Sequence, residues 1–209
     1  MTDADWLARA AELADAQVGR TAPNPAVGAV CVRDGRLLGE GAHLRAGGPH
    51  AEVNCLNACA EDPAGATLYV TLEPCSTTGR TPPCCDLIRA KRLGRVVIGC
   101  LDPNPRHAGR AVDLLREAGI AVDVAEGPIA DRCRALIAPF AKAIVTGLPY
   151  LRLKLAMTLD GFIADGARAA RWVTGPQARD WVQRLRARVD AVMVGAGTVR
   201  DDHPSLQPH

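Results

Sequence analysis

Residues 66–84 read Ala-Thr-Leu-Tyr-Val-Thr-Leu-Glu-Pro-Cys-Ser-Thr-Thr-Gly-Arg-Thr-Pro-Pro-Cys, an apolar run followed by a polar loop and the start of a helix. Ala66 to Leu72 reads as a buried strand. Pro83 opens a helix predicted to reach Arg92, and Arg95 to Cys100 is the next buried strand. A strand, a crossing helix and a strand imply a parallel pair. Upstream, residues 4–18 place Trp6, Leu7, Ala10, Leu13, Ala14 and Val18 near helical spacing, with Asp3 available as a cap. Ala26 to Val32 and Leu37-Leu38-Gly39 flank Asp34-Gly35 as a hairpin, and Pro49 begins a helix to about Cys59.

Downstream the alternation continues, with a helix over 108–118, a strand over 120–124 and a helix from Pro128 to Val145. This order predicts an α/β domain over residues 1–145, built as three layers with helices on both faces of a sheet. Thr146-Gly147-Leu148-Pro149 has the punctuation of a linker. Beyond it, a strand over 150–158, a helix over 175–188 and a strand over 191–194 make residues 146–209 the opening βαβ of a second α/β domain. A piece of that size is marginal for an independent core.

Composition sets the class. The 209 residues are 48% apolar and 23% charged, as in globular proteins. Lys and Arg total 25 against 23 Asp and Glu, a balance that argues against a nucleic-acid or membrane-surface protein. No apolar run has the length of a membrane span, and Met-Thr-Asp-Ala-Asp is not the start of a secretory signal, so a cytoplasmic protein is expected. Eight cysteines in a reducing compartment point to metal or catalytic roles for some and to buried thiols for the rest.

His50-Ala51-Glu52, Pro74-Cys75 and Pro83-Cys84 form the strongest constellation. Zinc favours imidazole and thiolate, and a catalytic site keeps three protein ligands so that water takes the fourth position. His50, Cys75 and Cys84 supply that number, and Glu52 is the carboxylate that can take and return the water's proton. Residues two apart diverge on an ideal helix, so His50 and Glu52 must lie at the helix entry, with Pro49 as its first residue. Cys85 is the competing ligand, ranked below Cys84 because Cys84 directly follows the proline pair and neighbours on a helix cannot both face one metal.

The order His-x-Glu, Pro-Cys, Cys resembles the zinc deaminase signature, with eight residues between the cysteines instead of two. Together with Ala22-Pro-Asn-Pro-Ala-Val-Gly28 and Asp102-Pro-Asn-Pro105, the 73–84 loop resembles the bifunctional riboflavin-biosynthesis deaminase/reductase family, over essentially the whole chain. The resemblance implies a cytidine-deaminase-like domain that removes the 2-amino group of a diaminopyrimidinone bearing a ribosylamino 5′-phosphate. Asn24, His43, Thr77, Arg80, Asp102 and Asn104 would hold that substrate. Amide and carboxylate groups suit a polar ring edge, and a guanidinium suits phosphate. Thr77 departs from the His common in relatives, so a hydroxyl replaces a group able to carry charge.

Leu153-Lys-Leu-Ala-Met-Thr-Leu-Asp-Gly161, Trp172-Val-Thr-Gly175, Leu185-Arg-Ala187 and Gly195-Ala-Gly-Thr-Val199 resemble the start of the family's dihydrofolate-reductase-like domain, which reduces ribosyl to ribityl with NADPH. By that match Ala156, Trp172, Thr198 and Asp202 would contact NADPH, and Ala170, Arg186 and Leu206 the substrate. Gly195-x-Gly197, with Arg200 in place of a third glycine, is only a partial phosphate-loop pattern. The expectation is a competent deaminase with a truncated, incomplete reductase, associating as a homo-oligomer and acting on a small molecule. Two alternatives stand beside it. One is another deaminase of the superfamily, acting on a base, nucleoside or transfer-RNA adenosine, which would not need the residues after Thr146. The other is a structural zinc closed by Cys85 or His43.

Overall fold

A computed structural model of the chain describes residues 1–78, 82–166 and 172–208. It divides into two compact units, Met1–Tyr150 and Leu151–His209.

The first unit opens with α1 (Asp3–Asp15), capped by Thr2 rather than Asp3. Thr2 Oγ1 accepts from the Asp5 N–H, and the Thr2 N–H donates to Asp5 Oδ2. Asp3 is occupied elsewhere, accepting from the Tyr69 hydroxyl at 2.7 Å and from Arg95. The hairpin β1 (Gly28–Arg33) and β2 (Arg36–Ala42) turns at Asp34-Gly35, whose φ angles of 51° and 73° are those of a primed turn. There follow α2 (Ala51–Asn57), β3 (Thr67–Val70), α3 (Cys84–Ala90), β4 (Arg95–Ile98), α4 (Arg110–Glu117) and β5 (Ala121–Val124).

The sheet order is β2-β1-β3-β4-β5, with β1 antiparallel to both neighbours and β3, β4 and β5 parallel. Strand alternation divides the core between the two faces. Ala29, Cys31, Leu68, Val70, Val96 and Ile98 join Cys55, Leu56, Ile88 and Leu115 from α2, α3 and α4. Val30, Val32, Tyr69 and Val97 meet Trp6, Leu7 and Ala10 of α1. This is the expected three-layer α/β/α arrangement.

The helix expected over 128–145 is two helices, α5 (Gly127–Leu136) and α6 (Ala138–Thr146). Pro139 cannot donate an N–H and its ring crowds the preceding turn, so the run breaks at Ile137. Gly147, at a φ of 70°, then ends α6 one residue past the expected Val145.

The second unit holds α7 (Pro176–Arg186) and α8 (Ala196–Asp202), and no strand among its described residues. The segments expected as strands over 150–158 and 191–194 are not strands among the described residues, since apolar alternation suits a sheet but does not by itself supply the ladder that defines a strand. Leu151, Leu153 and Met193 are correspondingly exposed. α8 is not among the expected elements, which end with the strand over 191–194. No helix among the described residues is long and apolar enough to cross a membrane.

Candidate active site

Three chain segments converge at the open ends of β3 and β4. β2 lies directly against α2 because glycines leave room. A Cβ on Gly39 would fall 2.7 Å from the Cys55 carbonyl oxygen, and one on Gly41 2.4 Å from the Cys55 nitrogen. The helix so seated starts two residues later than expected, at Ala51. Pro49 is outside it, and His50 is its N-cap in extended conformation, with φ −72° and ψ 166°. This places His50 and Glu52 on one side without the divergence that two positions inside a helix would impose. Pro83 is likewise the N-cap of α3, and Cys84 its first residue.

His50, Cys75 and Cys84 meet. His50 Nδ1 lies 3.5 Å from Cys75 Sγ and 3.4 Å from Cys84 Sγ, and the Cys84 N–H donates to Cys75 Sγ at 3.2 Å. Tetrahedral zinc with ordinary Zn–N and Zn–S bonds separates nitrogen from sulfur by about 3.5 Å. The donor set, one imidazole and two thiols, therefore fits zinc in type and spacing. A hydrogen bond from Cys84, aided by His50 and opposed by burial, pulls the Cys75 thiol well below its ordinary value. The hydrogen bond to Cys75 and burial push the Cys84 thiol up. His50 is raised by its hydrogen bond to Cys75.

Glu52, on the first turn of α2, is 3% exposed. Burial pushes its carboxyl up to about 7, with the Cys75 charge acting in the same direction. Cys85 turns away to the Pro74 carbonyl, and burial pushes its thiol up to about 12.

His43 is buried with both ring nitrogens engaged. Nδ1 is 2.9 Å from the Pro49 carbonyl oxygen, so it must be the protonated nitrogen. Nε2 then accepts from Asn24 Nδ2 at 3.0 Å. The His43 and His50 rings stand edge to face, with centroids 5.5 Å apart. A chain of contacts thus runs from Asn24 through His43 to His50. Thr77 is half-buried two residues after Cys75. Asp102 and Asn104 share one loop, where Asp102 Oδ1 accepts from the Asn104 N–H and Asn104 Oδ1 from the Arg106 N–H. Arg80 and Ala170 lie outside the described residues.

In the second unit, Thr198 and Asp202 lie on α8, and Arg186 donates to the Ser205 carbonyl oxygen at 2.8 Å, close to Leu206. Trp172 is largely exposed under the Arg179 guanidinium, and Ala156 is half-buried.

Sequence reasoning missed Glu73. It is 6% exposed, and its carboxylate accepts from the backbone N–H groups of Asp102, Gly109 and Ala111 at 2.9 to 3.0 Å. Those partners are 29 to 38 residues further along, so no local pattern signals them.

Comparison with known proteins agrees with this architecture. Residues 1–100 match the cytidine and deoxycytidylate deaminase zinc-binding region, and residues 149–209 match the RibD C-terminal domain. Riboflavin biosynthesis protein RibD of Actinobacillus pleuropneumoniae is 48% identical over 99% of this chain and 54% of its own length. That of Escherichia coli K12 is 48% identical over 99% of this chain and 56% of its own. The Acinetobacter baumannii RibD structure superposes with a TM-score of 0.87 at 45% identity, covering 98% of this chain and 57% of that one. A Thermotoga maritima diaminohydroxyphosphoribosylaminopyrimidine deaminase/5-amino-6-(5-phosphoribosylamino)uracil reductase gives 0.90 at 44%, covering 97% and 58%. The chain belongs to the RibD riboflavin-biosynthesis family and spans about half the length of the curated relatives it matches.

Proposed function

We propose that this chain hydrolyses the 2-amino group from 2,5-diamino-6-ribosylamino-4(3H)-pyrimidinone 5′-phosphate, with His50, Cys75 and Cys84 holding one zinc ion and Glu52 moving the proton. The observation that carries this is a three-donor cluster of zinc spacing beside a buried carboxyl. Bound zinc supplies the Lewis acidity that makes water nucleophilic at neutral pH. Glu52 takes a proton from the attacking water and delivers it to the ring nitrogen. With the water oxygen bonded to the ring carbon, Glu52 takes the remaining proton of that oxygen and passes it to the amine, so the carbonyl forms as the carbon–nitrogen bond breaks and ammonia leaves. A carboxyl raised to about 7 suits both giving and taking at neutral pH.

The deaminated ring is oriented by the groups around it. Because Asn24 Nδ2 donates to His43, the amide oxygen is the end turned away, an acceptor for a ring N–H. We assign Asp102 and Asn104 to the ring and ribosyl part. Arg80 is assigned to the phosphate, and Thr77 supplies a neutral hydroxyl beside it. For the family's second step, reduction of ribosyl to ribityl, we assign Ala156, Trp172, Thr198 and Asp202 to NADPH, and Ala170, Arg186 and Leu206 to the substrate. The deaminase part is residues 1–145 and the reductase part begins at residue 146.

The test is ammonia release from the diaminopyrimidinone ribosyl phosphate, with NADPH oxidation followed in the same tube. Ammonia from the parent and none from Glu52→Ala is the expected result. A folded, zinc-loaded parent that releases no ammonia from this substrate refutes the assignment.

A further inference from the structure

The Glu73 carboxylate joins the metal-ligand loop to the loop assigned to the substrate. β3 leaves the sheet through Thr71-Leu72-Glu73, and the Glu73 N–H donates to the Cys100 carbonyl oxygen at 2.9 Å. The backbone at Glu73 is therefore fixed to the end of β4. Its side chain reaches the next loop, where Oε2 accepts from the Asp102 N–H at 3.0 Å and the Gly109 N–H at 2.9 Å. Oε1 accepts from the Ala111 N–H at 2.9 Å. All three partners are donors, so both oxygens act purely as acceptors. Asp102 and Gly109 are the two ends of the loop carrying Asn104. Gly109 is the N-cap of α4 and has no side chain to cap it, so Glu73 caps that helix from the loop after β3. Cys75 is two residues beyond Glu73, with Pro74 stiffening the link.

We propose that Glu73 is a positioning residue that sets Asp102 and Asn104 at a fixed offset from the His50-Cys75-Cys84 cluster, acting through backbone N–H groups and touching no substrate. This rests on the deaminase reading given above. Glu73→Gln keeps the size but replaces one acceptor oxygen by a donor that faces an N–H. The loop loses its clamp while the ligand side chains are unaltered.

The experiment uses the full chain as parent, Glu73→Gln, Asp102→Asn and the double variant. Zinc content, kcat and KM for the diaminopyrimidinone ribosyl phosphate are measured, with backbone hydrogen exchange read at residues 102, 109 and 111. The expected result is unchanged zinc stoichiometry, a KM raised about tenfold and a kcat within about threefold of parent. The double variant is then no worse than Asp102→Asn alone, because both act on one contact. Unchanged KM in Glu73→Gln, or penalties that multiply in the double variant, overturns the proposal. Exchange needs no variant to fold and no turnover. Unprotected amides at these three positions in the parent overturn the clamp, whereas protected amides in a parent that releases no ammonia refute only the substrate assignment.

Discussion

Gly41→Ala tests whether α2, which carries Glu52, is placed by backbone-to-backbone packing. The added Cβ would lie 2.4 Å from the Cys55 nitrogen, 2.7 Å from the Asn54 carbonyl carbon and 2.9 Å from Asn54 Cβ. Ordinary contact begins at 3.4 Å, so the nearest gap is short by 3.4 minus 2.4, about 1.0 Å. The first two atoms belong to the α2 backbone and cannot rotate away, so α2 must move off β2 by about that distance. His50 and Glu52 ride on the first turn of α2, whereas Cys75 and Cys84 belong to other segments and do not follow. Overpacking of this kind costs about 1–3 kcal/mol, and a displacement near 1 Å at a reacting group costs about 10²-fold in rate. Urea unfolding reads the first and ammonia release the second. Gly35→Asn is the control, because its Cβ meets nothing within 4 Å and Asn tolerates the φ of 73° there. A Gly41→Ala protein with parental kcat/KM and a stability within about 0.5 kcal/mol of parent would refute the packing argument.

Three further outcomes follow from the site and its frame. Glu52→Gln keeps its zinc and loses about 10²- to 10⁴-fold in kcat, since the amide cannot move a proton; parental turnover would remove Glu52 from the mechanism. Cys84→Ser leaves two strong donors and is expected to copurify with substoichiometric zinc, measured by atomic emission; a full complement would show that the metal is held elsewhere. Arg95→Ala removes the partner of Asp3 and Asp123, both partly exposed, so the loss is at most about 1 kcal/mol. The hydrogen bond from Arg95 holds the Asp3 carboxyl below its ordinary value, so its stabilisation is present above that value and is lost as pH falls through the folded-state value. The variant's unfolding midpoint should therefore vary less with pH in that acidic window, and an unchanged acid dependence would contradict the assignment.

The layers were legible because a strand buried on both faces must send alternate residues to each. Val30 and Val32 go to α1, while Ala29 and Cys31 go to the face of α2. Helix ends were less legible, because they depend on what the capping residue otherwise does. Asp3 reads as a cap until Tyr69 and Arg95, 66 and 92 residues away, take its carboxylate. Pro49 reads as a first helical residue, but the chain stays extended through His50, and in that extension His50 Nδ1 faces one sulfur on the loop after β3 and one on the first turn of α3. In the second unit, alternating apolar residues over 150–158 state a capacity to pair, and pairing belongs to two segments.

The candidate site separates along the same line. Its candidate metal donors are announced locally, because a proline before each cysteine fixes a loop or helix entry beyond the end of the central strand β3, and thiols there have few other uses. The groups that hold those donors in register are not announced. Gly39 and Gly41 pass for ordinary strand glycines until α2 is laid against them, and Glu73 passes for loop polarity until residues 102–111 fold over it. Each acts on backbone atoms, which carry no residue identity, so its partner leaves no trace in composition or spacing. Substitutions at such positions should disturb geometry while leaving donor chemistry intact. Retained zinc with a raised KM or lowered kcat separates them from the ligands themselves.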